Sequence, residues 1–111
     1  MPELADDAVL LVLTNLPDAD SAGGLARLLV ESRFAACVNQ LPVVRSTYQW
    51  QGKLEVAEEV PLLIKTTVGR YPEVEQAIRI AHPYDVPEII ALPVVQGLPD
   101  YLAWVVRETQ A

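Results

Sequence analysis

The stretch from 81 to 94, AHPYDVPEIIALPV, brings together residue types that bind metal ions in proteins. It contains the only histidine of the chain, His82, followed three positions later by Asp85 and six positions later by Glu88. Imidazole binds borderline cations near neutral pH, and carboxylates add oxygen ligands for harder ones. Because two prolines constrain the intervening turn, His82, Asp85 and Glu88 could converge on one cation.

Each of these residues also has a purely structural interpretation. His82 would end a helix, where an imidazole interacts favourably with exposed carbonyl groups. Asp85 would be an exposed turn residue, because turns favour acids, and Glu88 would pair with a lysine. The end of a helix followed by a turn would therefore explain His82, Asp85 and Glu88 as well as a metal site does.

Cys37 is the only cysteine of the chain and the second kind of candidate metal ligand. A thiolate would favour Cu(I) or zinc, whereas a free cysteine in an apolar strand is more often a small buried side chain. One histidine and one cysteine cannot supply a closed structural zinc site. A metal ion bound here would need carboxylates, water or residues from another copy of the chain.

Lys65 is the basic residue with the most demanding predicted environment. It lies between Ile64 and Thr66 in the middle of a predicted strand, where a lysine is costly to bury unless it is paired. We therefore expect a carboxylate or an anionic ligand beside it, and Glu88 is the predicted partner.

The elements that must position these residues follow from hydrophobic periodicity. The predicted order is a strand over 8–15, a helix over 18–33, a hairpin with arms over 44–50 and 58–67, a helix over 69–82, a strand over 87–94 and a helix over 99–108. The first hairpin arm could begin as early as Ala36, with Pro42 at an edge or bulge. The acids beyond the hairpin turn, Glu55, Glu58 and Glu59, are expected to form a solvated face.

This order predicts an α+β fold, a ferredoxin-like βαββαβ sandwich with a long hairpin and an extra C-terminal helix. Helices would cover one face of the antiparallel sheet. The strands show no polar open face, so we expect partner subunits to cover the other one. At 111 residues, the chain is predicted to form a single domain, 1–111, in which a sizeable ligand site would lie between subunits.

Charge and composition limit the partners and the location. The net charge is −7, with 15 acidic and 8 basic residues and no run of lysines or arginines. Nucleic acid is not expected as a partner, because phosphate contacts need clustered cations. No apolar stretch approaches the ~20 residues of a membrane helix. The acidic start, unlike a signal peptide, and the single cysteine predict a cytoplasmic protein.

The sequence carries no catalytic signature that we recognise. It lacks a GxSxG motif, a P-loop, an HExxH motif and a glycine-rich dinucleotide fingerprint. A nucleophilic pair of Cys37 and His82 is conceivable, but nothing in the order of the chain indicates that they meet. We therefore predict that the protein is not an enzyme.

Five motifs together resemble the CutA family of divalent-cation tolerance proteins. They are AACVNQLP, STYQWQGKLE, LLIKTT, HPYDVPEIIALPV and PDYLAWV, in this order, and the resemblance runs from about Val9 to Val106. It implies a ferredoxin-like subunit in a homotrimer with a PII-like architecture and interlocking hairpins. It also implies a response to metal ions through binding of copper or another divalent metal ion, with no organic cofactor evident.

The resemblance also bears on the candidate residues, because His82 matches the family's HPY histidine and Cys37 its AAC cysteine. The predicted metal ligands are His82, Cys37, Asp85 and Glu88. The predicted lining of a ligand cleft between subunits is Tyr48, Trp50, Lys65, Tyr84 and Glu88. For Tyr48 and Trp50, packing in an obligate interface is the competing interpretation.

Two functions remain open at this stage. The first is a trimeric divalent-cation tolerance protein that binds its ion through His82 with help from Cys37 or carboxylates. The second is a PII-like regulatory or scaffold module whose intersubunit cleft binds a small anion at Lys65, or a protein partner.

Overall fold

An antiparallel sheet provides the frame of the protein. The computed structural model describes residues 3–111, and Met1 and Pro2 of the predicted domain lie outside them. The elements are β1 (Val9–Leu16), α1 (Ala19–Glu31), β2 (Cys37–Gln40), β3 (Val44–Trp50), β4 (Lys53–Thr67), a 3₁₀ turn (Val68–Arg70), α2 (Tyr71–Ala81), β5 (Ile89–Pro93) and α3 (Pro99–Glu108). No helix within this range is long and apolar enough to span a membrane.

The strand order confirms the predicted α+β, ferredoxin-like arrangement with an extra helix. The sheet runs β2-β4-β1-β5, and its neighbouring strands are antiparallel. β4 is 15 residues long, and its first half extends beyond β1 to pair with β3. The β3–β4 hairpin therefore projects from the sheet, as the sequence predicts.

The first arm of the hairpin is broken, which the sequence pattern did not resolve. β2 and β3 both pair with β4, but residues 41–43 separate them, so the sheet has five strands instead of the predicted four. Pro42 lies in this break because it has no N–H to donate to a strand ladder. At the tip, Gln51 and Gly52 have φ values of 52° and 80°, the combination that a two-residue type I′ turn requires.

The main core lies between the sheet and helices α1 and α2. Even-numbered positions of β1 and β4 point towards the helices, because side chains alternate along a strand. Its fully buried members include Val12, Leu16, Leu62, Ile64, Leu29, Val74 and Ile78. Asp18 caps α1 from the position before it, because its carboxylate accepts a hydrogen bond from the backbone N–H of Ser21 at 2.8 Å.

α3 packs on the opposite face of the sheet, at one end. Val105 is fully buried there in a second, smaller cluster with Val9 and Ala36. Leu98 precedes the helix without a side-chain hydrogen bond, and Pro99 begins it, a position where the missing N–H costs nothing. α3 therefore covers only the end of this face.

The rest of that face is apolar and uncovered in a single chain. Leu13 pairs with Leu63 on one side and with Ile90 on the other, and Ile90 and Leu92 are 50% and 49% exposed. The predicted buried strand over 87–94 is therefore wrong for one chain, because β5 lies at the sheet edge and its residues 90–93 are exposed. Contiguous apolar surface of this kind is typical of an interaction site.

Candidate functional site

One cleft gathers most of the residues predicted to bind a ligand. It lies between the β3–β4 hairpin, the end of β1 and the loop that joins α2 to β5, and its volume is about 550 Å³. Three aromatic residues, three carboxylates and one amide provide its functional groups. The volume is within the ~300–1,000 Å³ that small-molecule sites usually have.

The aromatic wall of the cleft comes from two parts of the chain. Tyr48 and Trp50 point to the same side because they are two positions apart on β3, and Tyr84 approaches from the loop after α2. All three side chains are between 44% and 50% exposed. The pKa of the Tyr84 hydroxyl is raised above its ordinary value, mainly by burial and to a smaller extent by the charge of Glu59 and by the neighbouring Tyr48. The hydroxyl is therefore neutral at neutral pH.

The carboxylates of Glu59, Asp85 and Glu88 make the cleft acidic. No lysine or arginine is among the residues that line it. The amide nitrogen of Asn15 donates a hydrogen bond to Oε1 of Glu88 at 3.4 Å, which connects the end of β1 to the residues just before β5. The charge of the cleft therefore favours a cation.

His82 holds the loop after α2 in place. Its side chain is 7% exposed, and its Nε2 makes a short hydrogen bond with the backbone carbonyl of Asn15. Its Nδ1 accepts a hydrogen bond from the backbone N–H of Tyr84 at 3.3 Å. This pair of partners assigns the Nε2–H tautomer and occupies both ring nitrogens, so the geometry favours the structural interpretation of His82.

Cys37 and Lys65 lie together on a different part of the sheet. They are paired in the β2–β4 register, and Lys65 Nζ is 3.9 Å from Cys37 Sγ. Lys65 also donates a hydrogen bond to Oδ1 of Asn39. Burial, and then the neighbouring Cys37 thiol, raise the pKa of the Tyr101 hydroxyl from α3.

Within one chain Lys65 does not pair with Glu88, and it is not among the residues that line this cleft. Lys65 lies opposite Leu11 in the sheet, and Glu88 contacts Asn15, four positions further along β1. At 3.3 Å per residue, these two places are about 13 Å apart along the strand. The lysine finds an amide partner on the adjacent strand instead.

The four predicted metal ligands do not meet within one chain. Asp85 and Glu88 line the cleft, His82 is turned towards Asn15, and Cys37 lies towards the other end of the sheet. In the part of the chain that the structure describes, no group of three or more His, Cys, Asp or Glu residues is placed to hold a metal ion. A compact inner-sphere site from these residues alone therefore does not fit the geometry.

Two polar cleft residues are absent from the sequence-based set, Asn15 and Glu59. Glu59 pairs with Val44 and so shares a face of the hairpin with Tyr48, which lies four positions further along β3. The alternation along β3 and β4 therefore contained the signal for Glu59, although the sequence predicts only a solvated face. Asn15 carries no such signal, because its place depends on how β1 meets the α2–β5 loop.

A larger groove of about 660 Å³ lies between α1 and α2. Its lining is mostly apolar, with Leu25, Leu28 and Ile80 among its residues, and it contains none of the predicted ligand-binding residues. We favour the smaller cleft as the functional site because its aromatic and carboxylate groups can recognise a charged ligand.

Three comparisons show which known proteins this chain is similar to. The family model for the CutA1 divalent ion tolerance protein matches residues 10–108. A divalent-cation tolerance protein CutA of Thermus thermophilus is 42% identical over 99 residues, covering 89% of this chain and 96% of the relative. Protein CutA of Mus musculus is 46% identical over 95 residues, but this chain spans only 54% of its length.

A solved structure is similar over almost the whole chain. The crystal structure of CutA from Xylella fastidiosa has a TM-score of 0.89 at 44% sequence identity, and the match covers 96% of this chain and 100% of that chain. The fold described above is therefore the fold of that protein.

The structural role of His82 gives a first prediction. We expect His82→Ala to lower the free energy of unfolding by about 1–3 kcal/mol, because it leaves the Asn15 carbonyl and the Tyr84 N–H without partners. Arg79→Ala, an exposed change on the preceding helix α2, is the control and should stay within about 0.5 kcal/mol of the parent. Urea denaturation at one fixed protein concentration measures both, and equal stability of the parent and His82→Ala would contradict the assigned role.

Proposed function

This chain belongs to the CutA1 divalent ion tolerance family, and on that basis we propose that it responds to divalent metal ions as a homotrimer that binds them in the acidic cleft. The observation that carries this proposal is the set of three carboxylates, Glu59, Asp85 and Glu88, around one cleft without a lysine or arginine in its lining. Oxygen ligands of this type suit divalent cations.

The spacing of the carboxylates determines how they would hold an ion. No three acidic, histidine or cysteine side chains in residues 3–111 are placed to hold a metal ion directly. An ion in the cleft would therefore keep most of its water, and the carboxylates would accept hydrogen bonds from that water. Among first-row ions, Cu²⁺ has the highest affinity for nitrogen and oxygen sites, so copper is included in the proposal without being selected by the cleft.

The homotrimer is proposed from the uncovered sheet face together with the family resemblance. Leu13, Leu63 and Ile90 lie side by side across three strands of this face, and Leu92 of the same edge strand is 49% exposed. Contact between copies would bury this apolar surface, which favours association. The number of subunits, three, is taken from the resemblance to the CutA family.

Anion binding is not favoured at this cleft. Lys65, which was the predicted anion-binding residue, is hydrogen-bonded to Asn39 outside the cleft. The three carboxylates of the cleft would repel a negatively charged ligand.

A catalytic role is not proposed either, because Cys37 and His82 lie near opposite ends of the sheet and one chain does not pair them.

A cytoplasmic location is supported by the single free Cys37, which fits a reducing compartment.

The cleft carboxylates give the second prediction. We expect the double change Asp85→Asn and Glu88→Gln to weaken Mn²⁺ and Cu²⁺ binding at least tenfold, about 1.4 kcal/mol, because it removes two of the three negative charges. Glu58→Gln is the control, since it removes an exposed carboxylate that pairs with Arg45 on the other face of the hairpin and is outside the cleft. Isothermal titration of the metal-free protein measures the affinities. Unchanged affinity in the double variant would remove the cleft from metal binding.

The uncovered face gives the third prediction. We expect Leu92→Glu to convert the trimer to smaller species, because it places a charge in an apolar interface. Ile80→Glu is the matched control, since Ile80 is 75% exposed on α2, on the helical side of the sheet. Analytical ultracentrifugation measures the mass of each variant, and an intact trimer in Leu92→Glu would contradict the assignment of this face.

A further inference from the structure

The side chain that holds the α2–β5 loop is a histidine, the residue type that ordinarily takes up a proton close to neutral pH. His82 is 7% exposed, its Nε2 is hydrogen-bonded to the Asn15 carbonyl, and its Nδ1 accepts a hydrogen bond from the Tyr84 N–H at 3.3 Å. Both contacts lie within one chain, so they do not depend on how the subunits assemble. They require a neutral ring, because only a neutral imidazole has one donor nitrogen and one acceptor nitrogen.

Protonation would remove the acceptor and leave the donor. An imidazolium donates from both nitrogens, so its Nε2–H would still bond to the Asn15 carbonyl, while its Nδ1–H would point at the Tyr84 N–H. Two donors cannot share a hydrogen bond, and the buried positive charge would also lack the water that solvates it outside the protein. The ring can therefore stay bonded to β1 only if the backbone at Tyr84 moves away from it.

No ion pair compensates for this charge. In the part of the chain that the structure describes, no carboxylate forms an ion pair with His82, and β1 presents the uncharged Asn15 to the ring. The titratable and charged side chains on the surrounding segments are Asp18 after β1, Glu59 on β4, Arg79 on α2, and Tyr84, Asp85 and Glu88 on the loop. The carboxylates among them attract an imidazolium only from a distance, so they do not replace the lost hydrogen bond.

The same loop carries two of the three carboxylates of the cleft. Asp85 and Glu88 follow Tyr84 within four residues, and Glu88 accepts a hydrogen bond from the side chain of Asn15 at 3.4 Å, which is longer than most hydrogen bonds of this type. Once the Tyr84 backbone is free, the two carboxylates sample more positions, and ordering them again around a cation costs conformational free energy.

We propose that His82 is a pH-sensitive contact, whose protonation releases the α2–β5 loop from the sheet and thereby weakens cation binding in the cleft. The release needs no ligand, whereas the effect on binding rests on the proposed function. Between about pH 7.5 and about pH 5.5 an ordinary imidazole changes its charge and ordinary carboxylates do not. This range therefore separates the histidine from the carboxylates.

NMR relaxation of the isotope-labelled, assembled protein at these two pH values tests the release. We expect the backbone order parameters of Tyr84 and Asp85 to fall from about 0.85, the value of rigid backbone, to below about 0.6 at the lower pH. His82→Gln is the matched variant, because its amide keeps a donor and an acceptor but takes up no proton, and its loop should have the same order at both pH values. The order parameter of Val12, in the core part of β1, should stay constant and reports on the rest of the fold.

Two results would overturn the release. One is a loop that stays rigid in the parent at the lower pH. The other is an equal loss of order in His82→Gln, since the acid would then act on a group other than the histidine.

Isothermal titration with Mn²⁺ at both pH values tests the effect on binding. The ratio of the affinities at the higher and the lower pH should be at least about tenfold larger in the parent than in His82→Gln. Equal ratios together with a released loop would overturn the coupling between the loop and the cleft. No Mn²⁺ binding at either pH would overturn the proposed function, and with it the effect on binding, while a loop released at the lower pH would still support the pH-sensitive contact.

Discussion

The pairing of β1 with both β4 and β5 is the constraint on which the rest of the structure depends. β1 lies inside the sheet, in register with eight residues of β4 and five of β5. Its even-numbered side chains, such as Val12 and Leu16, are fully buried against the helices, and its odd-numbered ones face the other side. A slip of one residue would exchange the two sets and expose the core.

The same register brings the cleft together. Asn15, near the end of β1, contacts Glu88 through its side chain and His82 through its backbone carbonyl. Because His82 also accepts a hydrogen bond from the Tyr84 backbone, the acidic loop is attached to the sheet at more than one point. A loop that is held before the ligand arrives loses less conformational freedom on binding, so in the proposed site the histidine would support binding without contacting the ligand.

Sequence patterns predicted the elements well where the signals are local. The helices predicted over 18–33 and 69–82 are present as α1 and α2, where Asp18 caps α1 and Pro72 lies in the first turn of α2. The order of strands and helices also gave the ferredoxin-like class. The partner of Lys65 was not predictable in this way, because it depends on the register of β2 on β4, which brings Asn39 near it. The exposure of Ile90 was not predictable either, because it depends on which face of the sheet no helix covers.

The central claim is that cations bind between the hairpin and the α2–β5 loop, at a distance from Cys37. Paramagnetic Mn²⁺ broadens NMR signals of nearby nuclei, so a titration of the isotope-labelled protein locates the ion directly. We expect the backbone amide signals of Glu59, Asp85 and Glu88 to broaden at the lowest Mn²⁺ concentrations, while those of Cys37 and Lys65 stay sharp. Broadening that begins at Cys37 and Lys65 would contradict the account and place the cation site on the other part of the sheet.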